Sequence, residues 1–199
     1  MKFTRILFLA ATAAAISPVL MAQGWPPTTD HLTMPIWPGT PPDSVALSHP
    51  EADLTTPKDA LIAGRVLVHL GNVSIPTITL YRPTGTNTGA AIVVFPGGGY
   101  NILAIDLEGT EVCDRLNASG VTCVLLKYRV PGTGPYPKSP AALEDAQRAM
   151  RLVRQHAAEW GIDPKRVGVL GFSQAGTFRR PSAICTIKNS THRSTLPTA

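Results

Sequence analysis

The chain has 199 residues, a formal charge of +5, 44% hydrophobic residues and only 16% charged ones, which suits a globular core and excludes a disordered polyelectrolyte. The charge is unevenly placed: Lys2 and Arg5 open the chain, Arg179, Arg180, Lys188 and Arg193 lie near its end, and every acidic residue falls between Asp30 and Asp163. The stretch between is almost neutral and has no basic face interleaved with aromatics, which excludes nucleic acid as a partner.

The first residues, MKFTRILFLAATAAAISPVLMAQG, place a positive pair before the apolar run Ile6 to Ile16 and small Ala22 before Gln23. This pattern predicts an export signal over residues 1–22. A membrane anchor needs about 20 apolar residues, and Ser17-Pro18 interrupts this stretch. No stable membrane insertion is therefore expected after signal removal, and the expected location is periplasmic or secreted.

Residues 23–59, with PIWPGTPPDS at their centre, are rich in Pro, Thr and Asp and predict an extended lead-in with little regular structure. RVLVHL (Arg65 to Leu70) and SIPTITLYRP (Ser74 to Pro83) alternate apolar and polar residues around Gly71-Asn72, the pattern of an antiparallel hairpin. AAIVVF (Ala90 to Phe95), VTCVLLKY (Val121 to Tyr128) and RVGVLGF (Arg166 to Phe172) are almost uniformly apolar, as parallel strands covered on both faces are. A helix is expected from Leu107 to Leu116, ending at Asn117-Ala118-Ser119-Gly120. A longer one follows from the Ser139 cap to Trp160, with Leu143, Met150 and Val153 on its buried face. Alternating strands and helices after a hairpin give an α/β fold with a mostly parallel sheet. Cys113 and Cys123 fall on a helix and a strand of one unit; buried free thiols are favoured over a disulfide. The three cysteines lack metal-ligand spacing, and neither metal nor cofactor is expected.

Two motifs carry chemistry. In GFSQA, Ser173 directly follows the last apolar strand with Gly171 two residues before it, as a nucleophile on a sharp strand-to-helix turn requires. Ala175 stands where a glycine is usual, and an ordinary loop serine is the alternative. FPGGGY, Phe95 to Tyr100, ends an earlier buried strand. Backbone N–H groups of Gly98 and Gly99, with that of Gln174, would hold the oxyanion of an acyl-transfer intermediate. A phosphate loop is the competing reading, but no Lys-Ser or Lys-Thr follows and the G-x-G-x-x-G spacing is missing.

Together PIWPGTPP, VVFPGGGYNILAIDLEGTEVCDRLNASGVTCVLLKYRVP and SPAALEDAQRAMRLVRQHAAEWGIDPKRVGVLGFS resemble the secreted α/β-hydrolases of the acetyl-esterase and feruloyl-esterase-like type, xylan esterases sometimes labelled xylanases. The resemblance covers about Pro35 to Ser173 and implies the α/β-hydrolase fold, a serine nucleophile and a polysaccharide or small-molecule ester substrate. In that family the nucleophile stretch continues Ala-Gly-Gly-His-Leu, whereas this chain reads Gln-Ala-Gly-Thr-Phe, Gln174 to Phe178. GCA GGC GGG CAC CTT C without its first base reads CAG GCG GGC ACC TTC, which encodes the latter. A one-base loss after the Ser173 codon, in the gene or in its sequencing, would leave residues 60–173 as the amino-terminal half of a hydrolase domain and 174–199 as an out-of-frame tail.

The triad of this architecture runs Ser, Asp or Glu, then His along the chain. No acidic residue follows Asp163, and His192, in a Ser/Thr-rich stretch, is the only histidine after Ser173. No triad acid and no triad histidine are therefore found in this chain. His69 and His156 read as structural, and Glu108 and Asp145 as hydrogen-bonding groups. The expected function is a serine carboxylesterase in a truncated, inactive form; the alternative is a non-catalytic secreted fragment or carbohydrate-binding protein.

Overall fold

The computed structural model describes residues 30–62, 64–132 and 139–172. Along the chain these form β1 (Leu32–Pro35), β2 (Ala52–Asp53), β3 (His69–Gly71), β4 (Thr77–Tyr81), β5 (Ala91–Phe95) and β6 (Leu103–Ala104). A π-helical turn (Asp106–Thr110), α1 (Glu111–Ala118), β7 (Thr122–Lys127), α2 (Pro140–Gln155) and β8 (Val167–Gly171) complete them. The main sheet has the order β1-β4-β7-β5-β8, and a small sheet has the order β2-β3-β6. Only β4 runs against its neighbours, so four of the five main strands share one direction. The apolar runs account for the centre: every residue of β7 is buried, and Val93 and Val94 of β5 are fully so.

The expected hairpin does not form. Asn72 does turn the chain, with φ of 56°, but β3 pairs with β2 and β6 while β4 pairs with β1 and β7. Both edges of β4 are taken, so β3 has no place beside it. The alternating threonines of β4 also misled, because Thr77 and Thr79 are buried. The Thr79 hydroxyl is shared with that of Thr33 at 2.9 Å. Thr33 belongs to β1, so the Pro-rich lead-in supplies a strand of the main sheet and, in Ile36, a fully buried core residue.

The first helix begins as a π-turn, where Gly109 lets the chain approach β7: a side chain there would start 3.1 Å from Leu125. On α2 the buried stripe is Ala142, Asp145, Ala149, Leu152 and Val153. Leu143 is 48% exposed and Met150 only partly buried, so the expected Leu143–Met150 face is corrected. A carboxylate at the centre of the buried face caused the error, since pattern reading assigns Asp145 to solvent.

Asp145 is fully buried and meets Arg129, which follows β7. Arg129 Nε lies 3.1 and 2.9 Å from the two carboxylate oxygens, Nη2 lies 2.9 Å from Oδ1, and the Arg129 backbone N–H donates to Oδ2 at 3.0 Å. Trp37 Nε1 donates to Oδ1 at 2.8 Å, and Arg129 Nη1 donates to the Pro42 carbonyl. Arg148 donates to the Ile36 carbonyl at 2.9 Å and lies over the Trp37 ring. The PIWPGTPP stretch is thus bound to α2 and to the end of β7. A second tie joins buried Lys127 to both oxygens of Glu51, at 2.7 and 2.8 Å.

Cys113 and Cys123 are disulfide-bonded, which corrects the expectation of free thiols. The packing of α1 against β7 brings their Cα atoms within 5.1 Å, inside the range a disulfide spans. Cys185, the predicted signal and the predicted tail lie outside the described residues.

Two outcomes are expected. Asp145→Ala leaves the buried Arg129 guanidinium with only the partly exposed Glu144 carboxylate, 3.2 Å from Nη2, to oppose its charge, and should lower stability by about 3 kcal/mol, read as a shift of the urea midpoint. The chain denatured without reductant should show one titratable thiol, that of Cys185, and three after reduction, matching its three cysteines.

Candidate active site

Parallel neighbours bring their carboxyl ends to one edge of a sheet, and β5 and β8 do so here, with Phe95 opposite Gly171. The Phe172 N–H continues the pairing by donating to the Phe95 carbonyl at 3.1 Å. The loop after β5 and the turn after β8 therefore start side by side. A side chain on Gly97 would begin 3.0 Å from the Phe172 carbonyl oxygen, so glycine allows this approach. Ser173 and Gln174 lie outside the described residues, but the residue that leads into Ser173 lies against the glycine loop.

The loop has an unequal hydrogen-bond account. Each of its five carbonyls is occupied. The Tyr128 hydroxyl donates to Pro96 O at 2.6 Å and the Ala104 N–H to Gly97 O at 2.9 Å. The Asn101 and Ile102 N–H groups donate to Gly98 O at 3.0 and 3.3 Å, Asn101 Nδ2 to Gly99 O at 3.3 Å, and the Gly132 N–H to Tyr100 O at 2.6 Å. The Gly97 N–H donates to Glu108 Oε2 at 2.8 Å. Among the described residues nothing accepts from the N–H groups of Gly98, Gly99 and Tyr100. Unpaired donors held in a row by anchored carbonyls are suited to an anionic or polarised oxygen.

The conformation explains the glycines. Gly98 has φ of 139° and Gly99 of 60°, with Tyr100 at 62°. A Cβ on Gly98 would lie 2.0 Å from the Ile102 carbonyl oxygen, whereas one on Gly99 would meet nothing nearer than 3.7 Å.

Beside the loop is a cavity of about 240 Å³, bounded mainly by apolar surface from Tyr100, Tyr128, Leu143, Ala146 and Phe172. Leu143, misplaced by the helical pattern, is one of its walls. Burial pushes the Tyr128 hydroxyl above the ordinary phenol range, so at neutral pH it is the neutral donor that Pro96 requires. Burial also raises the Glu108 carboxyl, against the opposing effect of the Gly97 N–H.

The histidines and carboxylates considered from sequence occupy other roles. His69 lies 3.3 Å from Asp59, and His156 lies 2.9 Å from Glu159 and stacks on Trp160. Neither lines the cavity. Asp145 holds Arg129, and Glu108 holds the glycine loop. His192 lies outside the described residues. Among the described residues no group of three His, Cys, Asp or Glu side chains could hold a metal ion, and no helix is long and apolar enough to cross a membrane. Sequence reasoning missed Tyr128 and Gly132 as loop anchors; the only signal was their place at the end of an apolar strand.

Residues 92–192 match the family model described as alpha/beta hydrolase fold. Over 90 residues the chain is 39% identical to the acetylxylan esterase of Xylanibacter ruminicola, covering 45% of this chain and 18% of that protein. It is 30% identical over 131 residues to the carboxylesterase NlhH of Mycobacterium tuberculosis, covering 63% and 40%. Among solved structures, the acetyl ester-xyloside bifunctional hydrolase of Caldicellulosiruptor lactoaceticus aligns with a TM-score of 0.48 and 34% identity, covering 71% of this chain and 42% of that one. The chain thus spans less than half the length of each of these relatives.

The two glycines should respond unequally to substitution. Gly98→Ala forces Cβ into a backbone carbonyl and should cost about 2–4 kcal/mol. Gly99→Ala meets only the left-handed backbone penalty of about 1–2 kcal/mol. Urea midpoints of the two variants check this order.

Proposed function

Because this chain belongs to the alpha/beta hydrolase family, we propose that it carries the nucleophile and oxyanion portion of a serine-dependent carboxylic-ester hydrolase, one that removes acetyl or feruloyl groups from plant polysaccharide or oligosaccharide. The observation that carries the reading is the hydrogen-bond account of the glycine loop. Its carbonyls are all engaged, and the Gly98 and Gly99 N–H groups are left for a ligand oxygen beside a largely apolar cavity. Names of relatives that act on acetylxylan and carboxylic esters support the substrate class.

In this mechanism Ser173 Oγ attacks the ester carbonyl, and its proton passes to a general base. The carbonyl oxygen becomes an oxyanion held by the N–H groups of Gly98, Gly99 and Gln174. Collapse expels the sugar alcohol, which takes up the proton, and leaves an acyl-serine; water then attacks it and releases the carboxylic acid. No residue after Ser173 is acidic and only His192 is a histidine. The base and its acid partner are accordingly assigned to sequence outside these 199 residues, consistent with a shifted reading frame after the Ser173 codon. Export to the periplasm or the medium is part of the proposal, and the Cys113–Cys123 bond supports it because disulfides persist in oxidising compartments. The missing acid equally favours a second reading, a secreted non-catalytic or carbohydrate-binding fragment that uses the same cavity.

The test is hydrolysis of p-nitrophenyl acetate, corrected for the uncatalysed rate. The chain as it stands should show negligible turnover. A version with the frame restored after Ser173 and carried to its own stop should hydrolyse the ester and lose at least a thousandfold on Ser173→Ala, the order expected for removing a nucleophile. Ser173-dependent turnover by the 199-residue chain would refute the missing base, and a frame-restored protein without Ser173-dependent turnover would refute the esterase reading.

A further inference from the structure

Glu108 is a carboxylate without a described cationic partner that nevertheless sits at the base of the glycine loop. It comes from the π-turn between β6 and α1, and its Oε2 takes the Gly97 N–H at 2.8 Å. The contact is close enough that a Cβ on Gly97 would lie 2.6 Å from that same oxygen. Gly97 is the residue at which the loop changes character: its own N–H is engaged, and among the described residues those of Gly98, Gly99 and Tyr100 are not. A peptide plane has one orientation about its flanking bonds, so fixing the Gly97 N–H on Oε2 and the Gly97 carbonyl on Ala104 fixes both planes that flank this residue. The Gly98 N–H lies trans to the Gly97 carbonyl in that peptide plane and so points away from Ala104 of β6.

We propose that Glu108 is a positioning residue: by accepting the Gly97 N–H it removes that donor from the site and sets the loop so that the Gly98 and Gly99 N–H groups form the ligand-facing pair. The inference rests on reading the loop as an oxyanion site. The titratable group that faces Glu108 is the phenol of Tyr128, from the end of β7, which has Tyr100 of the loop as its other neighbour; Asp106 shares the turn of Glu108, and its Oδ1 accepts the Leu107 N–H. The flanking Pro96 and Phe172 add no charge. Burial raises the Glu108 carboxyl, so the Gly97 contact should report a protonation above the ordinary glutamate value of about 4.3.

The experiment is amide NMR on the full chain. Gly-Gly pairs occur only at 97–98 and 98–99, so carbonyl-¹³C, amide-¹⁵N glycine labelling selects the Gly98 and Gly99 amides. Carbonyl-¹³C proline with ¹⁵N glycine selects Gly39, Gly97 and Gly132. Gly168 and Gly171 in β8 report that the sheet is folded. The Gly97 amide should titrate above pH 4.3 in the native chain and in Asp106→Asn. It should cease to titrate in Glu108→Gln, where the side-chain carbonyl keeps the bond and the Gly98 and Gly99 signals stay in place. In Glu108→Ala the Gly98 and Gly99 signals should move, with the β8 glycines unchanged.

A Gly97 titration that persists in Glu108→Gln, or Gly98 and Gly99 signals that stay in place in a folded Glu108→Ala, would overturn the proposal. Should the alanine variant not fold, the glutamine variant decides by the first criterion. These signals need no turnover, so a failed esterase assay leaves them intact. Ser173-dependent turnover beside unmoved amides would sink the role of Glu108 alone.

Discussion

The carboxylate of Asp145 is the point on which the described structure turns. An ionised group with no access to water is tolerated only when its lone pairs are filled and its charge is opposed. Here the guanidinium and backbone N–H of Arg129 and the indole N–H of Trp37 do both. Those three donors come from the end of β7 and from the lead-in, and the acceptor comes from α2. Satisfying one charge therefore requires three distant segments to meet. Charged hydrogen bonds add direction as well as energy, and direction is what an apolar interface between α2 and the sheet lacks.

From that junction the constraint passes to the site. Arg129 is followed by Val130, whose N–H donates to Val73 at 3.2 Å, and by Gly132, whose N–H donates to the Tyr100 carbonyl at 2.6 Å. The far end of the glycine loop is thus held by the segment that Asp145 fixes, while its near end is held by Tyr128 and Glu108. A loop carrying left-handed residues at Gly99 and Tyr100 is strained and persists only where its surroundings over-determine it. Five occupied carbonyls provide that determination, and they leave the Gly98 and Gly99 donors for the site.

Much of this was legible in the sequence where one physical effect dominated. Apolar runs marked β5, β7 and β8 to within a residue of their observed ends; the central strands β5 and β7 are covered on both faces and have little other composition available, whereas every residue of β8, expected to be covered likewise, is only partly buried. The glycine loop was legible because three adjacent glycines have few uses other than close approach. Legibility failed where a residue's partner lay far along the chain. Asp145 misdirected the helical face since its partner is sixteen residues earlier, and PIWPGTPP read as part of an extended lead-in because nothing local shows that Trp37 caps a buried carboxylate. The disulfide depended on how closely α1 approaches β7, a distance no spacing rule contains. Glu108 was read as a hydrogen-bonder, but its acceptor role toward Gly97 needed the fold.

These failures share a cause that bears on how such a site is built. The elements that hold the glycine loop, Tyr128, Glu108, Gly132 and the Asp145 junction behind it, all lie before Ser173, and all but Glu108 act through β7 or its continuation. β7 is also the strand that carries Cys123 and Lys127, so the disulfide to α1 and the ion pair to Glu51 bear on the same element. Each tie is to a different segment, and none is to another strand. A central strand already has both hydrogen-bonding edges occupied, here by β4 and β5, so further constraint on its position can come only through its side chains and its ends. That is where this chain has placed its buried charge, its disulfide and its phenol, and the donors of the loop take their positions from the strand thus fixed.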